Sequence, residues 1–221
     1  MLQTISIISI LAGILSSLII LFHVLAGHQQ KMMVMNFVWI ISGLYGGPIA
    51  LLAYFTIGKK GASNTSHEKE NRSKISWESV VLSTLHCGSG CTTGDIIAET
   101  LLLLFPFTLW GSKLAASWTL DYLFAFAVGI LFQYYAIKPM KDLRPREALA
   151  AAFKADTLSL TTWQVGMYGG MAIADFLIFK HQLEATTTLF WFVMQLAMLL
   201  GFLTAYPANV WLIKKGIKEP M

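Results

Sequence analysis

Apolar positions along the chain gather in six long runs, not in the short alternating or half-apolar pattern of a water-soluble domain. The runs cover about 2–25, 33–57, 77–109, 119–137, 157–179 and 187–213. Each holds about 20 residues or more, the length at which a helix crosses roughly 30 Å of hydrocarbon. The expected fold is all-α: a polytopic membrane bundle of about six transmembrane helices. The first run has no basic leader and stays apolar too long for a cleaved signal, so it reads as a retained span.

The pattern changes over 58–76, where a polar stretch carries no apolar periodicity and reads as a cytoplasmic linker. It divides two N-terminal helices (1–57) from a four-helix membrane domain (77–214) with a short cytoplasmic tail (215–221). His67 with Glu68 and Glu70 lies in this linker and reads as a solvated cluster. Composition agrees with a membrane protein. Charged residues make up 13% of the chain, about half the roughly 25% of soluble domains, and the mean hydropathy is +0.62. The net charge of +4 does not point to nucleic acid, because the basic residues flank apolar runs. If every run crosses, all of the 16 Lys and Arg except Lys31, Lys113 and Lys180 fall on the N-terminal side. The positive-inside rule then places both termini in the cytoplasm of a cell bounded by a cytoplasmic (inner) membrane. Arg144-Pro145-Arg146-Glu147 and the alanines that follow read as a short interfacial helix before span five.

The candidate chemistry lies in the third run. His86, Cys87, Cys91, Asp95 and Glu99 stand within fourteen positions of one another, and ionisable groups at membrane depth persist mainly for function. Cys87, Cys91, Asp95 and Glu99 recur every four residues, so a continuous helix carries them as one stripe, with His86 about 100° away from Cys87. Gly88-Ser89-Gly90 is poor helix sequence, so an interruption is expected there. It would turn His86 toward the stripe and leave Cys91 at the start of a second half-helix, with Ser89 or Thr92 as its cap. Thiolates with an imidazole suit Cu(I) or Zn(II). Met167 and Met171, with Met194 and Met198, are expected near the level of the cysteines. Thioethers there favour copper, although paired methionines at helical spacing also serve as packing. Each thiol is then expected to be needed for binding. Asp95 and Glu99 are auxiliary ligands or proton carriers, and Asp175 is a candidate to face them.

Elsewhere, Lys154 to Thr157 with Gln164 can line an exit, and Asp156 reads first as a helix cap. His23 and Gln195 read as packing or interhelical hydrogen bonds. The pairs Gly43/Gly47 and Gly166/Gly170 read as close helix contacts. The two cysteines lie inside an apolar run, so no secreted disulfide framework is indicated. No nucleotide-binding glycine motif, Ser/His/Asp order or HExxH pattern is present.

The stretch Ser83 to Glu99 (STLHCGSGCTTGDIIAE), together with Lys154 to Leu160 (KADTLSL) and Gln164 to Tyr168, resembles a prokaryotic membrane family catalogued as the domain of unknown function 4396. The resemblance runs from about Ile75 to Lys214 and carries no activity with it. Three functions stay open on the residues alone. The first is binding and transport or delivery of a transition metal, which makes the lipid bilayer and a metal ion the partners. The second is a membrane thiol oxidoreductase using Cys87 and Cys91, and the third a structural subunit. The balance is against an enzyme. Six spans barely enclose a pathway, which leaves room for a homodimer.

Overall fold

The computed structural model describes residues 1–58, 76–137, 144–180 and 183–219. Among these residues there are six helices and no strand. They are α1 (Leu2–Leu25), α2 (Met33–Ala53, running on into a π-helical turn Tyr54–Gly58), α3 (Trp77–Leu104), α4 (Lys113–Ile137), α5 (Pro145–Ala172, running on into a π-helical turn Ile173–Ile178) and α6 (Thr188–Lys214). The linker with His67, Glu68 and Glu70 lies outside the described residues. The all-α membrane bundle read from the sequence is what forms. Four helices (α1, α2 with its turn, α4 and α6) are long and apolar enough to cross a membrane. At 28 residues each, α3 and α5 are long enough, and they fall short only in hydropathy because they carry the polar residues. α3 packs against α2, α4, α5 and α6. From Ser83 to Thr92 every residue of it is buried, so this stretch faces protein on all sides and has no need of an apolar face. By contrast α1 exposes Ile8, Leu11, Leu15 and Phe22, as a lipid-facing helix does.

The expected second span does not run straight. Gly47 has φ +52° and ψ −134°, a conformation that suits glycine, and Pro48 follows it, removing a backbone donor. The chain reverses here. The Trp39 and Tyr54 rings lie 5.5 Å apart, whereas fifteen residues of straight helix would separate their backbones by about 22 Å. A Cβ on Gly58 would stand 2.9 Å from the Trp39 ring. α2 is therefore a helical hairpin that enters and leaves at the same end of the bundle. Irregular backbone at membrane depth must be satisfied by protein. Gln195 does so, donating from Nε2 to Leu44 O (2.7 Å) while its Oε1 accepts from Ser9 (2.8 Å). Gly43 makes the close contact expected of it, against the Ser17 backbone; Gly47 is instead the turn.

The remaining helices alternate in direction. Gly90 faces Gly129 and Gly94 faces Ala125 between α3 and α4. Gly129 faces Asp156 and Leu160, and Trp118 stacks on Tyr168, between α4 and α5. Gly201 faces Trp163 and Gly170 faces Ala197 between α5 and α6. Gly13 meets Leu44 and Ser17 donates to Ile40 O, so α1 is antiparallel to the first limb of α2; that limb runs from Val38, beside Ser89 of α3, to Leu44, beside Gln195 of α6, which sets α1 and α6 parallel. Leu2 and Lys214 consequently lie at opposite ends of the bundle.

The interruption expected at Gly88-Ser89-Gly90 does not occur either: α3 is one helix from Trp77 to Leu104. The glycines serve close approach. A Cβ on Gly88 would lie 2.3 Å from the Trp163 ring, and one on Gly94 2.2 Å from the Ala125 backbone nitrogen. The hydroxyls expected to cap a second half-helix bond to their own helix one turn back, Ser89 to Leu85 O (2.9 Å) and Thr92 to Gly88 O (2.8 Å), as does Thr93 to Ser89 O (2.8 Å). In lipid, a helix has no water to which its backbone can turn, so low intrinsic propensity does not break it. α5 likewise holds no separate interfacial helix. Pro145 occupies its first position, Glu147 accepts from the Arg144 N–H (3.1 Å), and the helix continues unbroken.

Candidate metal site

Because α5 begins at Pro145, Asp156 lies well inside it and is fully buried. It is not a helix cap. Its carboxylate projects between α3 and α4, where Gly129 leaves room: a Cβ there would be 2.7 Å from Asp156 Oδ2. On α3 the adjacent residues His86 and Cys87 point in different directions, yet both reach this carboxylate. The donor atoms of His86, Cys87 and Asp156 all lie within 4.8 Å of one another. The third donor comes from a neighbouring helix, so no break in α3 is needed to assemble the group.

Hydrogen bonding around the group is uneven. Cys87 Sγ donates to Asp156 Oδ1 (3.3 Å) and lies 2.8 Å from Ser159 Oγ. Ser159 in turn donates to Asn209 Oδ1 (2.9 Å). Neither ring nitrogen of His86 makes a well-formed hydrogen bond among the described residues, the Phe132 backbone offering only a weak one, and Asp156 Oδ2 has no partner among them. A buried imidazole so poorly partnered is costly, and donor atoms left over around a thiol and a carboxylate are what a bound ion would satisfy.

A cation of the protein's own already stands there. Beyond α6 the chain turns at Gly216 (φ +67°), with Ile217 N and Lys218 N both donating to Leu212 O (3.0 and 3.3 Å), a helix-ending motif of the glycine type. The turn sends Lys218 back into the bundle. Its Nζ donates to Cys87 Sγ (3.1 Å), Ser83 O (3.3 Å) and Ser159 Oγ (3.3 Å) and pairs with Asp156 Oδ1 at 3.5 Å.

The other residues read from the sequence lie apart from this group. Cys91 is fully buried one turn further along α3, outside the three-donor cluster, and both cysteines are free thiols. Asp95 and Glu99 continue the stripe, about 12 and 18 Å from Cys87 along the helix. Glu99 meets Ser117 and shares a cavity with Asp121, Asp175 and Met171. Met167 and Met171 are about 16 and 22 Å along α5 from Asp156, not level with Cys87; starting span five at 157 misplaced them. Met198 Sδ lies 3.8 Å from Thr92 Oγ1. Asp156 and Lys218 were missed as site residues. Pro145 followed by Glu147 was the available signal for the first, and Gly216 after the last apolar run the only one for the second.

Comparison with curated proteins and with solved structures finds no match to the chain. A family model does match, over residues 76–218, which takes in α3 to α6 and the buried Lys218 and leaves out α1 and the α2 hairpin. The chain belongs to the family described as domain of unknown function DUF4396.

Proposed function

We propose that the protein binds a transition-metal ion inside the membrane at His86, Cys87 and Asp156 and passes it across or delivers it from there. The observation that carries this reading is the buried His86, Cys87 and Asp156 donor group, whose imidazole makes no well-formed hydrogen bond among the described residues. Around a tetrahedral ion the three donors would stand about 3.3–3.8 Å apart, a modest contraction from the present spacing. One sulfur, one nitrogen and one oxygen form a borderline set, which fits Zn(II) better than Cu(I). Lys218 holds the cationic position until the ion arrives and must withdraw for it, since two positive charges do not share one site. The thiol-enzyme reading loses ground, because both thiols are fully buried and reactive cysteines sit where a substrate can meet them. The structural reading keeps one specific support, the Lys218–Asp156 pair.

The test is metal content and competitive Zn(II) titration of the purified protein. About one equivalent is expected in the wild type, and at least a hundredfold weaker binding in Cys87→Ser and in His86→Ala. Cys91→Ser is expected to bind as the wild type does. Equal loss from Cys91→Ser would shift the site up the helix, and unchanged binding in Cys87→Ser would end the proposal.

Orientation follows from charge. Lys31, Arg144, Arg146, Lys154, Lys214 and Lys215 gather at the end where α1 finishes, against Lys113 and Lys180 at the other. We assign the basic end to the cytoplasm, which puts the N-terminus outside and the C-terminus inside. Reporter fusions at the two ends are expected to report opposite compartments. Both termini in one compartment would mean that α2 crosses and that the hairpin is wrong.

A further inference from the structure

Far along α3 from Cys87, Glu99 lines a cavity of about 20 Å³ with Ser117 and Asp121 of α4, Tyr168 of α5 and Asp175 of its π-helical turn. That volume holds one water-sized particle. α6 contributes Phe190 and Met194 to the wall, and none of the described lining residues is basic. Carboxylates from three elements thus converge on one small space.

Acidic clusters alone are commonplace. What sets this one apart is its unmet hydrogen bonding. Asp95, one turn back on α3, is 1% exposed, and neither of its carboxylate oxygens has a partner among the described residues. Its electrostatic neighbours are Asp121 first and Glu99 second. Asp121 is also 1% exposed, and its Oδ1 is likewise without a partner. Ser117 Oγ stands within reach of both Glu99 Oε1 and Asp121 Oδ2, yet one hydroxyl has one proton to donate. Tyr168 spends its own on Trp118 O (2.9 Å). Asp95, Glu99 and Asp121 are together rich in acceptors and short of donors, and buried carboxylates in that state require a positive charge.

We propose that this cavity is a second ligand site, separate from the Cys87 group, that takes a hard monovalent cation, either a proton shared among the carboxylates or a sodium-sized ion. Oxygen-only donors select hard ions. A space for one particle leaves no room for the waters that Mg²⁺ retains, so an ion there would be held by the lining oxygens alone. Asp121 is the central ligand, because it neighbours Asp95 and Glu99 of α3 and Tyr168 of α5 and lines the cavity that Asp175 also borders. The two sites share no side chain, so this inference stands or falls without reference to the transition metal.

The experiment is difference infrared spectroscopy of the purified full-length protein in detergent. The medium is switched from N-methylglucamine to sodium at fixed pH and ionic strength, then stepped in pH without sodium. A saturable change in carboxyl bands is expected in the wild type and is expected to disappear in Asp121→Asn. A band that moves with sodium identifies the alkali ion, and one that moves with pH alone identifies the proton; either supports the site. Glu99→Gln, which keeps an acceptor for Ser117, carries the same test should Asp121→Asn fail to fold. If neither switch produces a carboxyl change that these variants remove, or if only Mg²⁺ or Ca²⁺ does, the proposal is overturned.

Discussion

Asp156→Asn is expected to destabilise the protein by about 3–5 kcal/mol and to abolish metal binding. The stability loss comes from Lys218, whose ammonium would stay buried among Cys87, Ser159 and the Ser83 carbonyl without its counter-charge. Removing one partner of a buried pair leaves an uncompensated charge, whereas replacing both is often close to neutral. Lys218→Leu alone should cost a similar amount for the converse reason; leucine is chosen because it adds no sulfur ligand. The double variant is expected to return to within about 2 kcal/mol of the wild type, far short of the sum of the single losses. Reversible unfolding in mixed micelles reads this cycle. Strictly additive losses would show that the 3.5 Å contact is not an energetic pair.

The same variants separate the metal site from a purely structural knot. Both readings expect the coupling in stability. Only the metal reading expects Lys218→Leu to bind Zn(II) roughly tenfold or more tightly than the wild type, once a competing charge is gone; tenfold corresponds to about 1.4 kcal/mol. It also expects the double variant, though stable, to bind none. Zinc binding that is absent throughout, beside an intact stability cycle, would leave Lys218 as a structural clasp.

The apolar runs made the helical bundle legible because length and hydropathy are local properties, and five of the six runs became helices without a reversal. The run at 33–57 misled for the same reason. Hydropathy counts apolar residues without knowing whether the helix through them is straight, and Gly46-Gly47-Pro48 was the only mark of a reversal. His86 and Cys87 were visible as ionisable groups at depth. Asp156 was hidden because Pro145 to Lys154 is too polar to look like part of a span, so the helix start was placed too late. Lys218 had Gly216 as its only local sign. A lysine after a terminal helix reads as a cytoplasmic charge unless tertiary structure gives it a buried carboxylate to meet. The glycines of α3 were legible as weak helix formers and misread as a break, since sequence alone does not show which neighbour presses against them.

That last point yields a direct contrast between two glycines under the same substitution. Gly94→Ala would place a methyl 2.2 Å from the Ala125 nitrogen and 2.5 Å from its Cα. These are backbone atoms of α4 and cannot swing aside as a side chain can, so α3 and α4 must separate along their shared seam. Close helix approach is what holds such seams together in lipid, and overpacking against backbone lies at the severe end of its range. A loss of at least about 3 kcal/mol is expected. Gly169→Ala is the control. Gly169 lies on the exposed side of α5 with nothing within 4 Å of its added Cβ, so the methyl only improves helix propensity. Its expected effect is neutral to a gain of about 1 kcal/mol. Unfolding of both variants in the same micelles gives the comparison. If Gly94→Ala is as benign as Gly169→Ala, α3 and α4 do not pack as closely as described, and the placement of Cys87 beside Asp156, which rests on the same helix seams, loses its foundation.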